Sequence, residues 1–188
     1  ARTLALLEAF EALLARHPRR VVPARREADL AAAQSRGALA AYLGLEGAHG
    51  LGRADRALPR LRLLARRGLR YLGLTWNNSN AFAGAATDRG GGLTPLGVRL
   101  ASACQELGVQ LDVSHASDAT VRDVLALGRP VLASHSNARA LCDVPRNLPD
   151  PLLRAVGRGG GVVCANFFPG FLSPGLADEL SRRQHGFG

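Results

Sequence analysis

Repeated alternation of strand and helix predicts an α/β protein built on a parallel sheet. Short apolar runs recur at 38–45, 69–75, 109–113, 131–134 and 161–166, and a helical segment separates each from the next. The stretch Leu107–Arg139 is a complete βαβ unit: Ser117 can cap its helix, Val121, Val124 and Leu125 share one face, and Gly128 ends it before Pro130. Each apolar run of that unit is followed by a histidine, His115 in Asp-Val-Ser-His and His135 in Ser-His-Ser. Both imidazoles therefore leave the carboxyl-terminal edge of neighbouring parallel strands, where α/β folds place their chemistry. Two imidazoles so placed can converge on one metal ion.

The other elements follow the same punctuation. Residues 2–16 place Leu4, Leu7 and Leu14 on one side of a helix that Pro18 closes, and Val21–Val22 is a short extended piece. Ala24–Arg36 is a second helix ending at Gly37. The run 38–45 is one strand that delivers Glu46 at its carboxyl end, in Glu-Gly-Ala-His. Leu58–Arg67 is helical, with Leu61, Leu64 and Ala65 inward and arginines outward, and Gly68 stops it. The strand 69–75 runs into Trp76-Asn77-Asn78-Ser79-Asn80 and a long polar loop. Gly90-Gly91-Gly92 in that loop lacks the Gly-Lys-Ser/Thr of a phosphate cradle and reads as flexible connection. Thr94 caps the next helix, with Pro95 first and Leu96, Leu100, Cys104 and Leu107 at helical spacing. Pro149–Arg158 and Gly175–Arg183 are the last helical pieces.

Chemistry-bearing residues at the ends of several successive strands favour a (β/α)8 TIM-like barrel over an open sheet. A closed barrel has eight strands in about 250 residues. The expectation is therefore one partial barrel domain spanning 1–188, truncated at both ends. The chain contains no methionine, which agrees with a fragment. Open parallel edges would invite self-association or a homodimer.

Composition narrows the function. The net charge is +9, yet all 24 basic residues are arginine, set at helix ends and outer faces without interleaved aromatics, so nucleic-acid binding is not expected. No window is long and apolar enough to span a membrane. The first helix carries acids, unlike a signal peptide, and the expected location is cytoplasmic. Cys104, Cys142 and Cys164 are widely spaced, and Cys104 and Cys164 read as small buried hydrophobes.

Five motifs in order resemble the membrane (renal) dipeptidase family, the M19-type zinc peptidases among the amidohydrolase-like barrels. They are Leu45-Glu46-Gly47-Ala48-His49, Arg70-Tyr71-Leu72-Gly73-Leu74-Thr75, Asp112-Val113-Ser114-His115, Ser134-His135-Ser136 and Arg146-Asn147-Leu148-Pro149-Asp150. The resemblance runs from about residue 20 to 172 and makes the chain similar to strands three to seven of that barrel. It implies hydrolysis of dipeptides by a metal-bound hydroxide at a two-zinc centre. Glu46 matches the bridging carboxylate, His115 and His135 the histidines of the second zinc, and Arg146 an arginine on the substrate carboxylate or the developing oxyanion.

Trp76, Asn77, Asn80 and Asn166 are expected at the substrate pocket, although turn chemistry explains the loop asparagines equally well. Asp112 is expected to orient His115 through a hydrogen bond or to pair with an arginine, and His49 to stand behind the ligands. The family's first zinc is held by a His-x-Asp pair that this chain lacks, and its last-strand aspartate has no match after Phe171. At most one zinc is then fully liganded, and hydrolysis by this chain alone is not expected. Trp76 stands where the renal enzymes carry a substrate-facing histidine, and Phe168 replaces a tyrosine. The alternatives are another binuclear amidohydrolase, against which the absence of lysine argues, or a barrel fragment that binds metal or a partner without turnover.

Overall fold

The computed structural model describes residues 2–185. In chain order the elements are α1 (Arg2–Arg16), β1 (Val21–Pro23), α2 (Glu27–Ser35), β2 (Leu39–Ala41), β3 (Leu43–Leu45), α3 (Ala57–Arg66), β4 (Leu69–Gly73), α4 (Pro95–Glu106), β5 (Gln110–Asp112), α5 (Asp118–Ala126), β6 (Leu132–Ala133), α6 (Asp150–Arg158), β7 (Val162–Val163) and α7 (Pro174–His185). Strands β3 to β7 form one parallel sheet in sequence order, the arrangement of a β/α-barrel wall. Leu61 and Leu64 of α3, Leu100 and Cys104 of α4, Val121 and Val124 of α5, and Val156 of α6 form one core with Leu72, Val113, Val131 and Ala133. Each such buried aliphatic side chain stabilises the fold by roughly 1.5–3 kcal/mol before entropy is counted.

The helix signals act as read. Thr94 accepts from the amide of Gly97 and Ser117 from that of Thr120, each satisfying a donor in the first turn. Helix α1 is fastened to the end of α3 by a paired contact of Arg67 with Glu11, whose Nε–Oε1 distance is 2.9 Å. Helix α2 begins three residues later than expected, because the amides of Arg25 and Arg26 both donate to Asp29 Oδ2 and hold those residues outside it.

The run 38–45 is two strands, not one. Leu39–Ala41 pairs with Val21–Pro23, and Leu43–Leu45 pairs with β4. An uninterrupted apolar run carries no mark of where it changes partner. Between β3 and β4 the register shifts after Leu43, and the Tyr71 ring lies against Gly44, where a Cβ would stand 2.0 Å from the ring. Only glycine admits that packing.

The connection after β4 is tied down, contrary to a flexible reading. Phe82 is buried, Ala83 bridges Leu93, and the Thr120 hydroxyl meets the carbonyls of Gly84 and Gly91. Helix α4 approaches it so closely that a Cβ on Gly97 would fall 2.0 Å from the Phe82 carbonyl oxygen.

All three cysteines are free, and one corrects the sequence reading: Cys164 is exposed. It shares a face of the last strand with Val162, itself 57% exposed, and apolar character alone does not say which face is covered. Burial pushes the Cys104 thiol up to about 12. In the native chain a maleimide should modify one thiol quickly, at Cys164, and all three after denaturation. Rapid native labelling of Cys104, mapped by peptide mass, would contradict this packing.

Candidate metal centre

Three strands of the one parallel sheet, β3, β5 and β6, bring their carboxyl ends to the same place. Glu46 follows β3, His115 stands three residues after β5, and His135 two residues after β6. One Glu46 oxygen, Oε1, lies 3.0 Å from His115 Nε2 and 3.2 Å from His135 Nε2. One ligand atom from each residue lies within 4.8 Å of the other two. Metal bonds of about 2.0–2.1 Å at a tetrahedral angle place neighbouring ligand atoms about 3.3 Å apart. Two imidazoles and one carboxylate with that spacing fit a zinc-type site that keeps a fourth position open.

The backbone is shaped to aim these groups. His115 has φ 69°, making it the only non-glycine residue with positive φ among the described residues. That conformation costs on the order of 1–2 kcal/mol and is held because Ala86 donates its amide to the His115 carbonyl at 2.8 Å. Its imidazole is 8% exposed, and Nδ1 is buried without a partner. Burial, then the charge of Arg146 and then His135, lower its pKa to about 3, so the ring is neutral, as a metal ligand must be.

Asp112 does not reach His115. Its Oδ1 accepts from the amides of Ser114 at 2.9 Å and Ser134 at 3.0 Å, and its Oδ2 accepts from the Ser134 hydroxyl. Ser134 Oγ is 2.7 Å from His135 Nδ1, so the carboxylate meets the other histidine through a serine. The reason is register: Asp112 is paired with Leu132, which puts Ser134 beside the carboxylate.

Arg146 is 6% exposed and makes no hydrogen bond or ion pair among the described residues. Its guanidinium carbon lies 5.3 Å from the centre of the Phe171 ring. Burial pushes its pKa down to about 10, against the opposing pull of Glu46 and Asp112. Tyr71 faces the same charges: burial first, then Asp112 and Glu46, raise its pKa. Trp76 is 46% exposed with its ring 6.4 Å from that of His115, forming a wall beside the cluster.

The remaining expected residues stand apart. Asn80 uses its side chain within its own loop, donating to the Leu74 carbonyl and accepting from the amides of Phe82 and Ala83. Asn77 is exposed and only its carbonyl is engaged, by Thr87. Asn166 pairs through its backbone with the Asn137 side chain, and its own side-chain oxygen accepts from the amide of Phe168. His49 is exposed on a short 3-10 turn, its ring folded back towards Gly47.

Sequence reasoning passed over the residues that brace the site. Asn147 is fully buried and donates to the carbonyls of Cys142 and Phe171, tying the loop that carries Arg146 to the turn that carries Phe171. Arg139 grips Asp118 with two hydrogen bonds, of 2.8 and 2.7 Å. Asn147 and Ser134 lay inside quoted motifs without a role of their own, whereas nothing in the sequence marked Asn137.

Comparison with known proteins agrees with this geometry. The family model described as membrane dipeptidase (peptidase family M19) matches residues 1–185. Dipeptidase 3 of Rattus norvegicus is 37% identical over 151 residues, which are 76% of this chain and 30% of that protein. The probable dipeptidase PvdM from Pseudomonas aeruginosa superposes with a TM-score of 0.85 at 30% identity, over 96% of this chain and 48% of its own. A metallo peptidase from Rhodobacter sphaeroides, solved with a phosphinate mimic of the dipeptide L-Ala-D-Ala, gives a TM-score of 0.80 at 30% identity, over 95% of this chain and 55% of its own. The chain thus spans 30% of the curated relative and about half of each solved structure.

Proposed function

The chain belongs to the membrane dipeptidase family, peptidase family M19, and on that premise we propose that Glu46, His115 and His135 hold one zinc ion of a dipeptidase centre. The observation that carries this reading is the convergence of those three side chains from the carboxyl ends of three strands of one parallel sheet. When bound, the metal supplies Lewis acidity and brings the pKa of a water towards neutrality. Neutral, buried His115 offers a lone pair, and Glu46 brings the negative charge. Arg146, a buried cation with no salt bridge of its own, takes the dipeptide carboxylate or the negative charge that develops on its carbonyl oxygen. Trp76 forms the wall of the substrate pocket nearest His115, with Asn77, Asn80 and Asn166 further out. Asp112 acts behind His135, through the Ser134 hydroxyl.

The chain then functions as one partial barrel domain, and hydrolysis is assigned to a longer enzyme that brings the second zinc site. No helix among the described residues is long and apolar enough to cross a membrane. An exposed, unpaired Cys164 supports a reducing, cytoplasmic setting. Exposed Val162 on the edge strand β7, and Phe167 at 86% exposure in the segment that follows it, support self-association or a homodimer.

Calorimetric titration of an alanyl dipeptide into the zinc-loaded chain tests the reading. Binding should occur and weaken about 100-fold in Arg146→Ala, the loss expected when one partner of a buried charge pair is removed. Lysine at the same position should restore only part of it, since it lacks the planar fork. Equal affinity in the wild type and Arg146→Ala would contradict the assignment of Arg146.

A further inference from the structure

We propose that Ser134 is a one-way hydrogen-bond relay through which Asp112 sets the tautomer of His135, leaving Nε2 bare to face the metal. This deepens the metal-centre reading and rests on it for the role of Nε2. The argument is a count of protons. Ionised Asp112 can only accept, and it accepts from two backbone amides at Oδ1 and from the Ser134 hydroxyl at Oδ2. A serine hydroxyl has one proton to give. With that proton directed at Asp112, Ser134 Oγ can only accept from His135 Nδ1, 2.7 Å away. His135 must then carry a proton on Nδ1, and Nε2, 3.2 Å from Glu46 Oε1, offers its lone pair to a cation held between the two atoms.

The surroundings hold the relay in this sense. Asp112 is 3% exposed, so water does not compete for its oxygens. The His135 amide donates to Ser114 Oγ at 3.0 Å, which fixes the backbone from which the ring projects. Among the described residues, the other hydroxyl near Ser134 Oγ is that of Ser114, at 3.5 Å, and a weak bond from it leaves the direction unchanged. His115 has no such partner, because its Nδ1 is orphaned. The two histidines are therefore prepared differently: His115 by backbone conformation and burial, His135 by a carboxylate acting through a serine.

Reversing the relay gives a decisive test. In Asp112→Asn the amide oxygen keeps the two backbone bonds, and the new NH2 donates to Ser134 Oγ. Ser134 then donates to His135 Nδ1 and drives the ring proton to Nε2. Long-range 15N–1H spectra of the imidazoles, recorded above neutral pH on the metal-free chain carrying Glu46→Ala so that no carboxylate faces Nε2, read the tautomer directly. In that background His135 should be protonated on Nδ1 with Asp112 and on Nε2 with Asp112→Asn, and Asp112→Asn with Glu46 intact should lower zinc affinity by roughly 10–100-fold, the usual effect of a ligand's outer partner.

Ser134→Ala is the second variant, should Asp112→Asn unfold. It should give mixed tautomers and weaker zinc binding, and Ser134→Thr should restore both. An unchanged tautomer in Asp112→Asn, or in Ser134→Ala where only that folds, would overturn the relay. The expected tautomer switch together with a wild type that has no affinity for zinc would support the relay and overturn the metal-centre reading instead.

Discussion

Asp112→Ala should lower stability by roughly 3–5 kcal/mol, the sum expected when several buried donors lose their acceptor at once. The amides of Ser114 and Ser134 and the Ser134 hydroxyl all end on this one carboxylate. They sit where β5 meets β6, so the damage falls on the seam between two strands that carry the histidines. Urea unfolding of the metal-free chain measures it, and Asp112→Asn should lose much less because its oxygen still serves both amides. A change below about 1 kcal/mol in Asp112→Ala would mean that water replaces the carboxylate easily, which the burial of this site argues against.

Glu46→Ala should behave in the opposite way: little effect on the metal-free fold and a large effect on metal. The Glu46 side chain is 54% exposed, and surface substitutions of this kind fall within about 0.5 kcal/mol. Zinc affinity should fall by more than about 100-fold, beyond the range typical of outer partners. The same loss appears in thermal stability. Zinc at about 100 times its dissociation constant stabilises the wild type by about 2.7 kcal/mol, and Glu46→Ala should keep at most about 0.4 kcal/mol of that gain at the same concentration. An unchanged zinc-induced shift in melting temperature would remove Glu46 from the ligand set.

Much of this arrangement was legible in the sequence because it depends on local signals. Helix caps at Thr94 and Ser117 and glycine stops set the alternation of strand and helix, and the alternation sets a parallel sheet. A histidine immediately after a strand must then lie at the carboxyl edge, so His115 and His135 could be placed without coordinates. What stayed hidden depends on which strand meets which and in what register. The split of 38–45 follows from a change of partner at Tyr42, the exposure of Cys164 from which face of β7 is covered, and the bond from Ser134 to Asp112 from the pairing of Asp112 with Leu132. Ser134 stood in a quoted motif, but its partner across the sheet depends on that register. The asparagines show the same limit: Asn80 and Asn166 look like pocket residues, yet their side chains hold loops, while Asn147, within a motif, anchors the segment that carries Arg146.

The most direct test of the central claim is zinc stoichiometry by elemental analysis of the purified chain, with His115→Ala and His135→Ala beside it. The account predicts about one zinc per chain in the wild type, the site having three protein ligands and one open position. It predicts near zero in both variants, with each still folded by circular dichroism. No zinc in the folded wild type, or a full equivalent retained by either variant, would contradict it.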